Sequence, residues 1–298
     1  MGRLDGKVAL VTGAGRGFGR SVAIAYAEEG AIVVAVSRTT SELNITADKI
    51  AQSGGQVITV ALDLAIPDSV LMLKNIIIDE CGRLDVLFNN AATSPWKTVE
   101  EMTIQDWDNT IAVNLRTPFL LSKAFLETMK THGGGSIINV TSESASRGFV
   151  AESAYCPSKY GLEGLTQCLA LEFKNHNIAV NTLGVAAPQG YRLKPTELTQ
   201  LEFDAIPEEV RVGYADDAAM VVAFRDAWTF MALQDGRGVT GQRLSTRTLE
   251  RELAELGWEG VTEKYRGKLT KAVYDSYDFP EKVRYQTRDG GWRELVFR

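Results

Sequence analysis

Three side chains in the sequence have the types and spacing that proton transfer needs. Tyr155 and Lys159 lie four residues apart in the segment Tyr-Cys-Pro-Ser-Lys, and Ser142 lies thirteen residues before Tyr155. On a helix, a separation of four places two side chains on one face, one turn apart. An ammonium beside a phenol favours the phenolate, so Tyr155 is expected to exchange a proton near neutral pH. Such a phenol, next to a bound nicotinamide, is suited to reversible carbonyl reduction.

A glycine-rich turn near the N-terminus predicts a dinucleotide site. Gly13, Gly17 and Gly19 follow the first predicted strand and open a helix. Glycine permits a tight turn and lets the backbone approach a pyrophosphate, while the helix N-terminus offers N–H groups and a partial positive charge. An ordinary strand–helix turn is the competing interpretation, but the strand before and the helix after this turn favour the nucleotide.

The end of the second predicted strand favours NADP(H) over NAD(H). An acidic residue there would hold the ribose 2′-hydroxyl and repel a 2′-phosphate. The sequence instead has Ser37 and Arg38, with Arg16 inside the glycine turn. Two converging guanidinium groups would clamp a 2′-phosphate; alternatively, one or both project into solvent. Asp63, after the third predicted strand, either accepts from the adenine amino group or caps the next turn.

The elements that must position these residues alternate along the chain. Short runs rich in β-branched residues predict six buried strands, at Val8–Thr12, Ala31–Val36, Gln56–Leu62, Leu84–Asn89, Ser136–Thr141 and Ile178–Leu183. Longer patterns predict six helices, at Ser21–Glu29, Ser41–Gln52, Asp68–Cys81, Ile104–Met129, Ala154–Phe173 and Asp217–Leu233. This alternation indicates an α/β fold with a Rossmann-like, doubly wound parallel sheet covered on both faces.

Composition argues against several classes of function. The chain has 298 residues, of which 45% are hydrophobic, so it can build a large core. A net charge of −6 argues against nucleic acid or a membrane surface as partner. Three widely spaced cysteines and two distant histidines form neither a disulfide framework nor a metal site. No apolar segment resembles a signal or a membrane span, so a cytoplasmic location is expected.

From about Leu4 to Gln242 the chain resembles the short-chain dehydrogenase/reductases. The motifs that carry the resemblance stand in the family's order, at Thr12–Gly19, Asp63, Asn89–Ala92, Asn114, Ser142, Tyr155 and Lys159. Ala92 stands where the family's Asn-Asn-Ala-Gly motif has glycine, which is a mild change.

The resemblance implies a role for each member of the predicted catalytic set. Tyr155 would donate a proton to the carbonyl during reduction and accept it in the reverse direction. Lys159 would favour ionisation of Tyr155 and hold the nicotinamide ribose hydroxyls. Ser142 would hydrogen-bond the substrate oxygen, and Asn114 would hold a water that links Lys159 to solvent.

Larger sets of residues are predicted for the cofactor and for the substrate. The cofactor site is expected to comprise Gly13, Arg16, Gly17, Phe18, Gly19, Ser37, Arg38, Asp63, Leu64, Asn90, Ala91, Tyr155, Lys159 and Val185. The substrate cleft is expected to be rimmed chiefly by Ser94, Trp96, Ser144, Phe149 and Tyr191, together with Glu143, Val150, Val185, Ala186 and the 191–203 segment. The aromatic and apolar members favour a substrate with an apolar or aromatic portion.

The segment after the sixth predicted strand departs from the family pattern. Val185 and Ala186 stand where the family has Pro-Gly, and Gly190 stands where a threonine hydroxyl would help. Pro188 falls where a backbone N–H normally meets the nicotinamide carboxamide, and proline has no N–H. The carboxamide must therefore be held differently or more loosely, whereas pyrophosphate binding is unaffected.

The sequence predicts one catalytic domain over residues 1–242, including a substrate loop over 186–216, and a C-terminal extension over 243–298. In the extension, Leu249, Leu253 and Leu256 have helical spacing that ends at Gly257. Two strand-like runs, 283–287 and 292–297, flank Arg-Asp-Gly-Gly and predict a hairpin. The extension's aromatic residues favour packing on the body or on a second subunit. It either stabilises the protein or its assembly, or it shapes the substrate cleft.

The leading hypothesis is an NADP(H)-dependent oxidoreductase acting on a ketone, an aldehyde or a secondary alcohol. One alternative is a cofactor-binding sensor or interaction protein without turnover, which the altered 185–190 segment favours. Another is an enzyme that dehydrates or epimerises its substrate while recycling the nicotinamide. By analogy with the family, a homodimer or homotetramer is expected, paired through the helices that carry Asn114 and Tyr155.

Overall fold

Seven parallel strands form the central sheet of the computed structural model, which describes residues 2–194, 203–271, 280–286 and 292–296. The strands are β1 (Val8–Thr12), β2 (Ile32–Ser37), β3 (Gln56–Ala61), β4 (Val86–Asn89), β5 (Gly135–Thr141), β6 (Ile178–Gly184) and β7 (Arg243–Ser245). Their order is β3-β2-β1-β4-β5-β6-β7, and every neighbouring pair is parallel. The order reverses between β1 and β4, which confirms the predicted Rossmann-like, doubly wound fold.

Helices cover both faces of this sheet. They are α1 (Gly17–Glu28), α2 (Thr40–Gln52), α3 (Pro67–Cys81), α4 (Ile104–Ile111), α5 (Thr117–Thr131), α6 (Tyr155–Phe173), α7 (Glu208–Arg211), α8 (Asp217–Ala232) and α9 (Thr246–Tyr265). The sequence predicts one helix over Ile104–Met129, but a π-helical turn, Ala112–Arg116, separates α4 from α5. Residue periodicity predicts helix but does not reveal a local change in backbone hydrogen bonding, so the turn escaped the sequence pattern.

Alternate residues of each central strand pack into the two hydrophobic layers. Ala9 and Val11 of β1 pack with the side chains of α1, α8 and α9, including Trp228. Val8 and Leu10 of the same strand pack with the side chains of α3, α5 and α6. Successive side chains of a strand point to opposite faces, and both faces are covered here. The strands therefore appear in the sequence as continuous apolar runs instead of alternating ones.

The seventh strand, β7, lies in the range that the sequence assigns to the extension. Its residues Arg243–Ser245 pair with Thr182–Gly184 of β6. The sequence does not predict this strand, because three residues are too few for a strand pattern. The sheet therefore continues beyond residue 242, and α9 follows it directly.

The helix α9 consists of two parts joined at Gly257, where φ is +68°. The first part ends where the leucine spacing predicts, whereas the second part, which reaches Tyr265, is not predicted. The Glu252 carboxylate accepts hydrogen bonds from Lys264 Nζ and from the Tyr265 hydroxyl, both at 2.8 Å, across the kink. These contacts set the angle between the two parts, and Trp258 and Tyr265 pack against the core as expected.

The last described residues form an antiparallel pair, β8 (Lys282–Gln286) and β9 (Trp292–Val296). This confirms the two predicted hairpin strands, although the intervening residues 287–291 lie outside the described ranges. The side chain of Trp292 is exposed, which differs from the expected packing of the extension's aromatic residues. Tyr274, Tyr277 and Phe279 lie outside the described residues. An ion pair from Arg293 to Glu101, at 3.5 Å, connects β9 to the body of the protein.

Candidate active site

A cleft of about 470 Å³ opens at the carboxyl ends of the central strands. Its walls include residues that follow six strands in turn, namely Gly13, Arg38, Leu62, Asn90, Ser142 and Val185. In open parallel sheets, ligands bind in this position, at the point where the strand order reverses. All fourteen residues of the predicted cofactor site line this cleft. Their contacts with a cofactor stay a prediction.

The glycine turn has the geometry of a cradle for an anionic group. Gly13 and Gly17 have φ of +67° and +56°, in the left-handed region that favours glycine. A Cβ on Gly19 would lie 2.3 Å from the Gly13 carbonyl oxygen, so this position admits only glycine. A Cβ on Gly17, the first residue of α1, would meet nothing within 4 Å, so the space beside this residue is open. The first N–H groups of a helix have no partner within that helix, so the turn fits a pyrophosphate.

Thr12 and Asn90 join the ends of β1 and β4 beneath this turn. The Thr12 hydroxyl accepts from the N–H groups of Asn90, at 2.9 Å, and Ala91, at 3.0 Å, and donates to the carbonyl oxygen of Phe88. In return, Asn90 Nδ2 donates to the carbonyl oxygens of Thr12, at 3.0 Å, and Gly13, at 3.3 Å. These bonds hold the two strand ends in one arrangement at the point where the sheet order reverses.

Two arginines and one glutamate line the cleft near the end of β2. Arg16 and Arg38 both line it, and Arg38 is exposed. Arg16 Nε lies 3.6 Å from Glu42 Oε1, so part of the arginine charge is offset. Glu42 was not among the residues predicted from the sequence for this site. Its position, five residues after Ser37 at the end of β2, is the sequence feature that could have identified it. Ser37 Oγ accepts from the Thr39 N–H at 3.2 Å and so shapes the end of β2.

Asp63 makes the turn-capping contact that the sequence left as one of two alternatives. Its Oδ1 accepts from the Ala65 N–H at 2.9 Å. The residue also lines the cleft together with Leu64, whose carbonyl oxygen accepts from the Thr117 hydroxyl at 2.6 Å. Recognition of an adenine amino group by Asp63 stays a prediction.

Tyr155 and Lys159 occupy the first two turns of α6, and both line the cleft. Lys159 Nζ lies 5.5 Å from the centroid of the Tyr155 ring and donates to the carbonyl oxygen of Val140 at 2.8 Å. Only 2% of Lys159 is exposed. Burial lowers the pKa of this lysine to about 8, and the negative charge of Glu163 acts in the opposite direction. The lysine is therefore mostly cationic at neutral pH but loses its proton at a lower pH than an exposed lysine does.

Ser142 follows β5 and begins a 3₁₀ turn, Glu143–Ala145. Its Oγ accepts from the Ser144 N–H and donates to Ser144 Oγ, each at 3.2 Å. Ser144 Oγ in turn donates to the Glu152 carboxylate at 2.6 Å. Ser142 and Glu143 line the same cleft as Tyr155. The structure therefore brings the predicted hydrogen-bond donor to the substrate oxygen, Ser142, and the predicted proton donor, Tyr155, into one cleft.

Asn114 lies in the π-helical turn, buried behind the cleft. Its Oδ1 accepts from the Thr93 N–H, and its Nδ2 donates to the Thr93 carbonyl oxygen, both at 2.9 Å. Nδ2 also donates to Ser158 Oγ at 3.0 Å. The side chain thus joins the loop after β4 to α6, beside Lys159. Its predicted water link to Lys159 stays a prediction.

The five principal substrate residues do not belong to the residues that line this cleft. Ser94 and Ser144 are buried, and Trp96 has a positive φ of +44°. Phe149 is half-buried, and Tyr191 is 45% exposed. Their position at a substrate rim stays a prediction.

Side chains far along the chain complete the cleft. Leu193, Lys194, Phe203, Ala215, Asp217 and Met220 line it beside the glycine turn. Asp217 accepts from Ser21 Oγ and pairs with Lys49 Nζ, both at 3.1 Å. Burial lowers the pKa of Lys194. Leu193, Lys194 and Phe203 fall in the segment expected near the substrate, but no short-range signal identified Asp217 or Met220.

The start of α9 holds the segment that departs from the family pattern. The Ala186 N–H donates to Thr246 Oγ1 at 3.1 Å. The Ala187 carbonyl oxygen accepts from Arg247 at 2.7 Å. Val185 lines the cleft and Pro188 is buried. The extension therefore contacts the wall of the cleft, in addition to packing on the core.

Other chemistry receives no support from the described residues. Burial raises the pKa of Cys156 to about 11, so its thiol is protonated at neutral pH. Within the described ranges, no group of three or more His, Cys, Asp or Glu side chains is arranged to hold a metal ion. In the same ranges, none of the helices combines the length and apolar character that crossing a membrane requires.

Comparisons with known proteins agree with this geometry. Residues 7–190 match the family model described as short chain dehydrogenase. The D-threitol dehydrogenase of Mycolicibacterium smegmatis is 35% identical over 235 residues, which cover 74% of this chain and 90% of that protein.

Two solved structures are similar in fold and hold different cofactors. A metagenomic short-chain oxidoreductase in complex with NADP has a TM-score of 0.60 and 34% identity, covering 64% of this chain and 86% of its own. The carveol dehydrogenase of Mycobacterium avium in complex with NAD has a TM-score of 0.67 and 25% identity, covering 82% of this chain and 97% of its own. Because the family model covers more than half of the sequence, the chain belongs to the short-chain dehydrogenase family of oxidoreductases.

Proposed function

We propose that the protein transfers a hydride between NADP(H) and a carbonyl compound or secondary alcohol. The observation that carries this proposal is the position of Tyr155, Lys159 and Ser142 in one cleft with the glycine turn. The solved relatives hold NADP or NAD, which supports a nicotinamide cofactor. When bound, that cofactor supplies or accepts the hydride.

The side chains of this protein would handle the proton and the substrate oxygen. In the reductive direction, the Tyr155 hydroxyl donates its proton to the carbonyl oxygen as negative charge develops there. The Ser142 hydroxyl, oriented by the Ser144 N–H, hydrogen-bonds the same oxygen. With a pKa of about 8, Lys159 is mostly cationic at neutral pH, so its charge favours the ionised form of Tyr155 after transfer.

Preference for NADP(H) rests on Arg16 and Arg38. Both line the cleft near the end of β2, where the adenosine ribose of a dinucleotide lies in this fold. A guanidinium has five N–H donors, so the Arg16–Glu42 pair does not preclude donation to a 2′-phosphate. Glu42 favours the opposite preference, because a carboxylate there repels a 2′-phosphate. The two positive charges of Arg16 and Arg38 together exceed the single negative charge of Glu42, so the net charge at this position favours a 2′-phosphate.

The proposed substrate is a small molecule with a ketone, aldehyde or secondary alcohol group. The relative named as a D-threitol dehydrogenase supports testing polyols and ketoses beside apolar and aromatic ketones. A homodimer or homotetramer is proposed by analogy with the family, and light scattering would measure it. A monomer at micromolar concentration would contradict that assembly.

The test is the loss of NADPH absorbance with a panel of these carbonyl compounds, and its gain with NADP⁺ and alcohols. Wild type is expected to turn over at least one member of the panel. Tyr155→Phe is expected to bind NADPH with unchanged affinity and to lose at least about 100-fold in rate, because the proton donor is missing.

The alternatives predict different outcomes of the same assay. Tight NADPH binding without turnover across the panel would favour the sensor alternative, which the proline at position 188 supports. Product formation without a net change in absorbance would favour dehydration or epimerisation with recycling of the nicotinamide.

A further inference from the structure

A single carboxylate joins α6 to three strands immediately behind the cleft. Glu163 lies one turn after Lys159 on α6, and its side chain is 17% exposed. Its Oε1 accepts from the Thr141 hydroxyl of β5, and its Oε2 accepts from the Thr182 hydroxyl of β6 at 2.9 Å. Oε1 also lies 3.4 Å from Arg243 Nε of β7. A carboxylate with three partners on three strands has a fixed position.

Arg243 extends this connection to the backbone of Ser142. While its Nε faces Glu163, its terminal nitrogen donates to the Ser142 carbonyl oxygen at 3.0 Å. The main-chain N–H of Arg243 donates to Thr270 Oγ1 at 2.9 Å, which holds the residue in place. Because a guanidinium is planar, the two contacts of its side chain cannot change independently.

The same carboxylate acts on the charge state of Lys159. Tyr155, Lys159 and Glu163 follow one another at intervals of four residues, so they lie along one face of α6. The hydrogen bond from Lys159 to the Val140 carbonyl oxygen offsets part of the cost of burying the ammonium. The negative charge of Glu163, one turn away, offsets a further part of the cost of burying the ammonium. This attraction is stronger where less water separates the two groups.

We propose that Glu163 and Arg243 are positioning residues for the catalytic set, with the Glu163 carboxylate one helical turn from Lys159 on α6 and the Arg243 guanidinium holding the backbone at Ser142. This inference rests on the proposed function. Neither residue touches the reacting atoms, and neither is among the residues that line the cleft. Their effect passes through the ammonium of Lys159 and the position of the Ser142 hydroxyl.

Other charged groups on neighbouring elements have partners of their own. The ring of Tyr155, on the same helix, has its centroid 5.5 Å from Lys159 Nζ. Several charged groups near α6 have other partners: Glu143 pairs with Arg147, Asp106 pairs with Lys97, Arg116 donates to the Ala65 carbonyl oxygen, and Glu152 accepts from Ser144 Oγ, each at 2.6 Å. From β5 and β6, the groups that face Glu163 are the hydroxyls of Thr141 and Thr182.

The test uses two variants that shift the titration of Lys159 in opposite directions. The full-length protein is labelled with ¹³C at lysine Cε, and the Lys159 signal, assigned by its loss in Lys159→Met, is followed against pH by NMR. Glu163→Gln removes the negative charge and keeps the size, so the midpoint is expected to fall by about one pH unit. Arg243→Met removes the opposing positive charge, so the midpoint is expected to rise.

A matched control separates this effect from a general change in charge. Glu172→Gln removes the same charge from the exposed far end of α6 and is expected to leave the midpoint unchanged. Equal midpoints in wild type, Glu163→Gln and Arg243→Met, or shifts of the same sign in both variants, would overturn the proposal. Generic destabilisation does not produce shifts of opposite sign, so a purely structural role is distinguishable. If Glu163→Gln does not fold, the rise in Arg243→Met still decides the question.

Turnover provides the second readout. The alkaline limb of the pH profile of kcat/KM is expected to move to lower pH in Glu163→Gln, because Lys159 then loses its proton earlier. Arg243→Met is expected to lower the rate, because the Ser142 carbonyl oxygen loses the donor that holds it. Arg243→Lys is expected to recover part of that rate, since an ammonium can also donate to this oxygen. Absence of turnover in wild type refutes the proposed function, whereas the NMR titration tests the Glu163–Arg243 assignment in either case.

Discussion

Lys159 donates from Nζ to the carbonyl oxygen of Val140 at 2.8 Å, which ties the buried lysine of α6 to the end of β5. This hydrogen bond favours one rotamer of the Lys159 side chain, which places the ammonium beside Tyr155. It also explains how a cation with only 2% exposure is tolerated. A carbonyl oxygen compensates part of the lost hydration but does not replace it.

The first prediction concerns the pH dependence of stability. Burial lowers the pKa of Lys159 from 10.5 to about 8 in the folded protein. Between these values the unfolded chain binds more protons than the folded one, so stability rises with pH. The free energy of unfolding of wild type, relative to Lys159→Met, is expected to increase by about 3 kcal/mol from pH 7 to pH 10.5. Urea denaturation of the cofactor-free proteins measures it.

The control for this titration is Lys123→Met, which removes an exposed lysine of α5. Its difference from wild type is expected to stay constant over the same pH range. A constant difference for Lys159→Met as well would contradict the assigned burial of the ammonium.

The second prediction concerns cofactor choice. Arg38→Ala and Arg16→Ala are each expected to weaken NADPH binding by about tenfold, because a charge-assisted contact to the 2′-phosphate is lost. NADH binding is expected to change by less than about twofold, since NADH has no such phosphate. Glu42→Gln is expected to shift the ratio the other way, toward NADPH. Isothermal titration calorimetry with both cofactors provides the affinities.

The matched control for the arginines is Arg251→Ala, which removes an exposed arginine of α9. Equal losses of NADPH and NADH affinity in Arg38→Ala and Arg16→Ala would contradict the prediction. They would show that the arginines attract both anionic cofactors by their charge, without a specific contact to the 2′-phosphate.

The third prediction concerns the contact between the extension and the cleft wall. Thr246→Val keeps the shape of the side chain but leaves the Ala186 N–H without its acceptor. The free energy of unfolding is expected to fall by about 1 to 3 kcal/mol, and the dissociation constant of NADPH is expected to rise. Thr246→Ser retains the hydroxyl and should behave as wild type in both chemical denaturation and cofactor titration.

The fourth prediction contrasts two glycines. Gly19→Ala would place a Cβ 2.3 Å from the Gly13 carbonyl oxygen, so it is expected to displace the glycine turn and abolish cofactor binding. Gly164→Ala lies at an exposed helical position, and its Cβ would meet nothing within 4 Å. It is expected to stabilise the protein by about 0.5 to 1 kcal/mol. Thermal unfolding and NADPH titration of both variants test this contrast.

Local patterns were sufficient for most of the fold. The strand Val8–Thr12 was predicted to the residue, and the other five predicted strands match within two residues at each end. Period-two and period-3.6 patterns report local backbone geometry and burial, so they do not depend on distant contacts. The π-helical turn and β7 escaped prediction because one is a subtle change of hydrogen bonding and the other is only three residues long.

The sequence by itself determined which residues could belong to the site. Tyr155 and Lys159 are neighbours on one helix, and the glycine turn connects one strand to one helix, so short-range spacing identifies them. The resemblance to the family also marks residues 185–190 as a departure from the family pattern. The roles of the predicted substrate residues stay predictions.

Only the tertiary structure decided which distant residues meet. Glu163 contacts Arg243, Thr246 contacts Ala186, and Asp217 contacts Ser21, across gaps of 60 to 196 residues. No local pattern carries this information, because such contacts depend on how strands order in the sheet and how the extension folds back. The spacing of side chains along one helix follows from the local geometry of its backbone. The distant residues that those side chains contact are set by the packing of the whole chain.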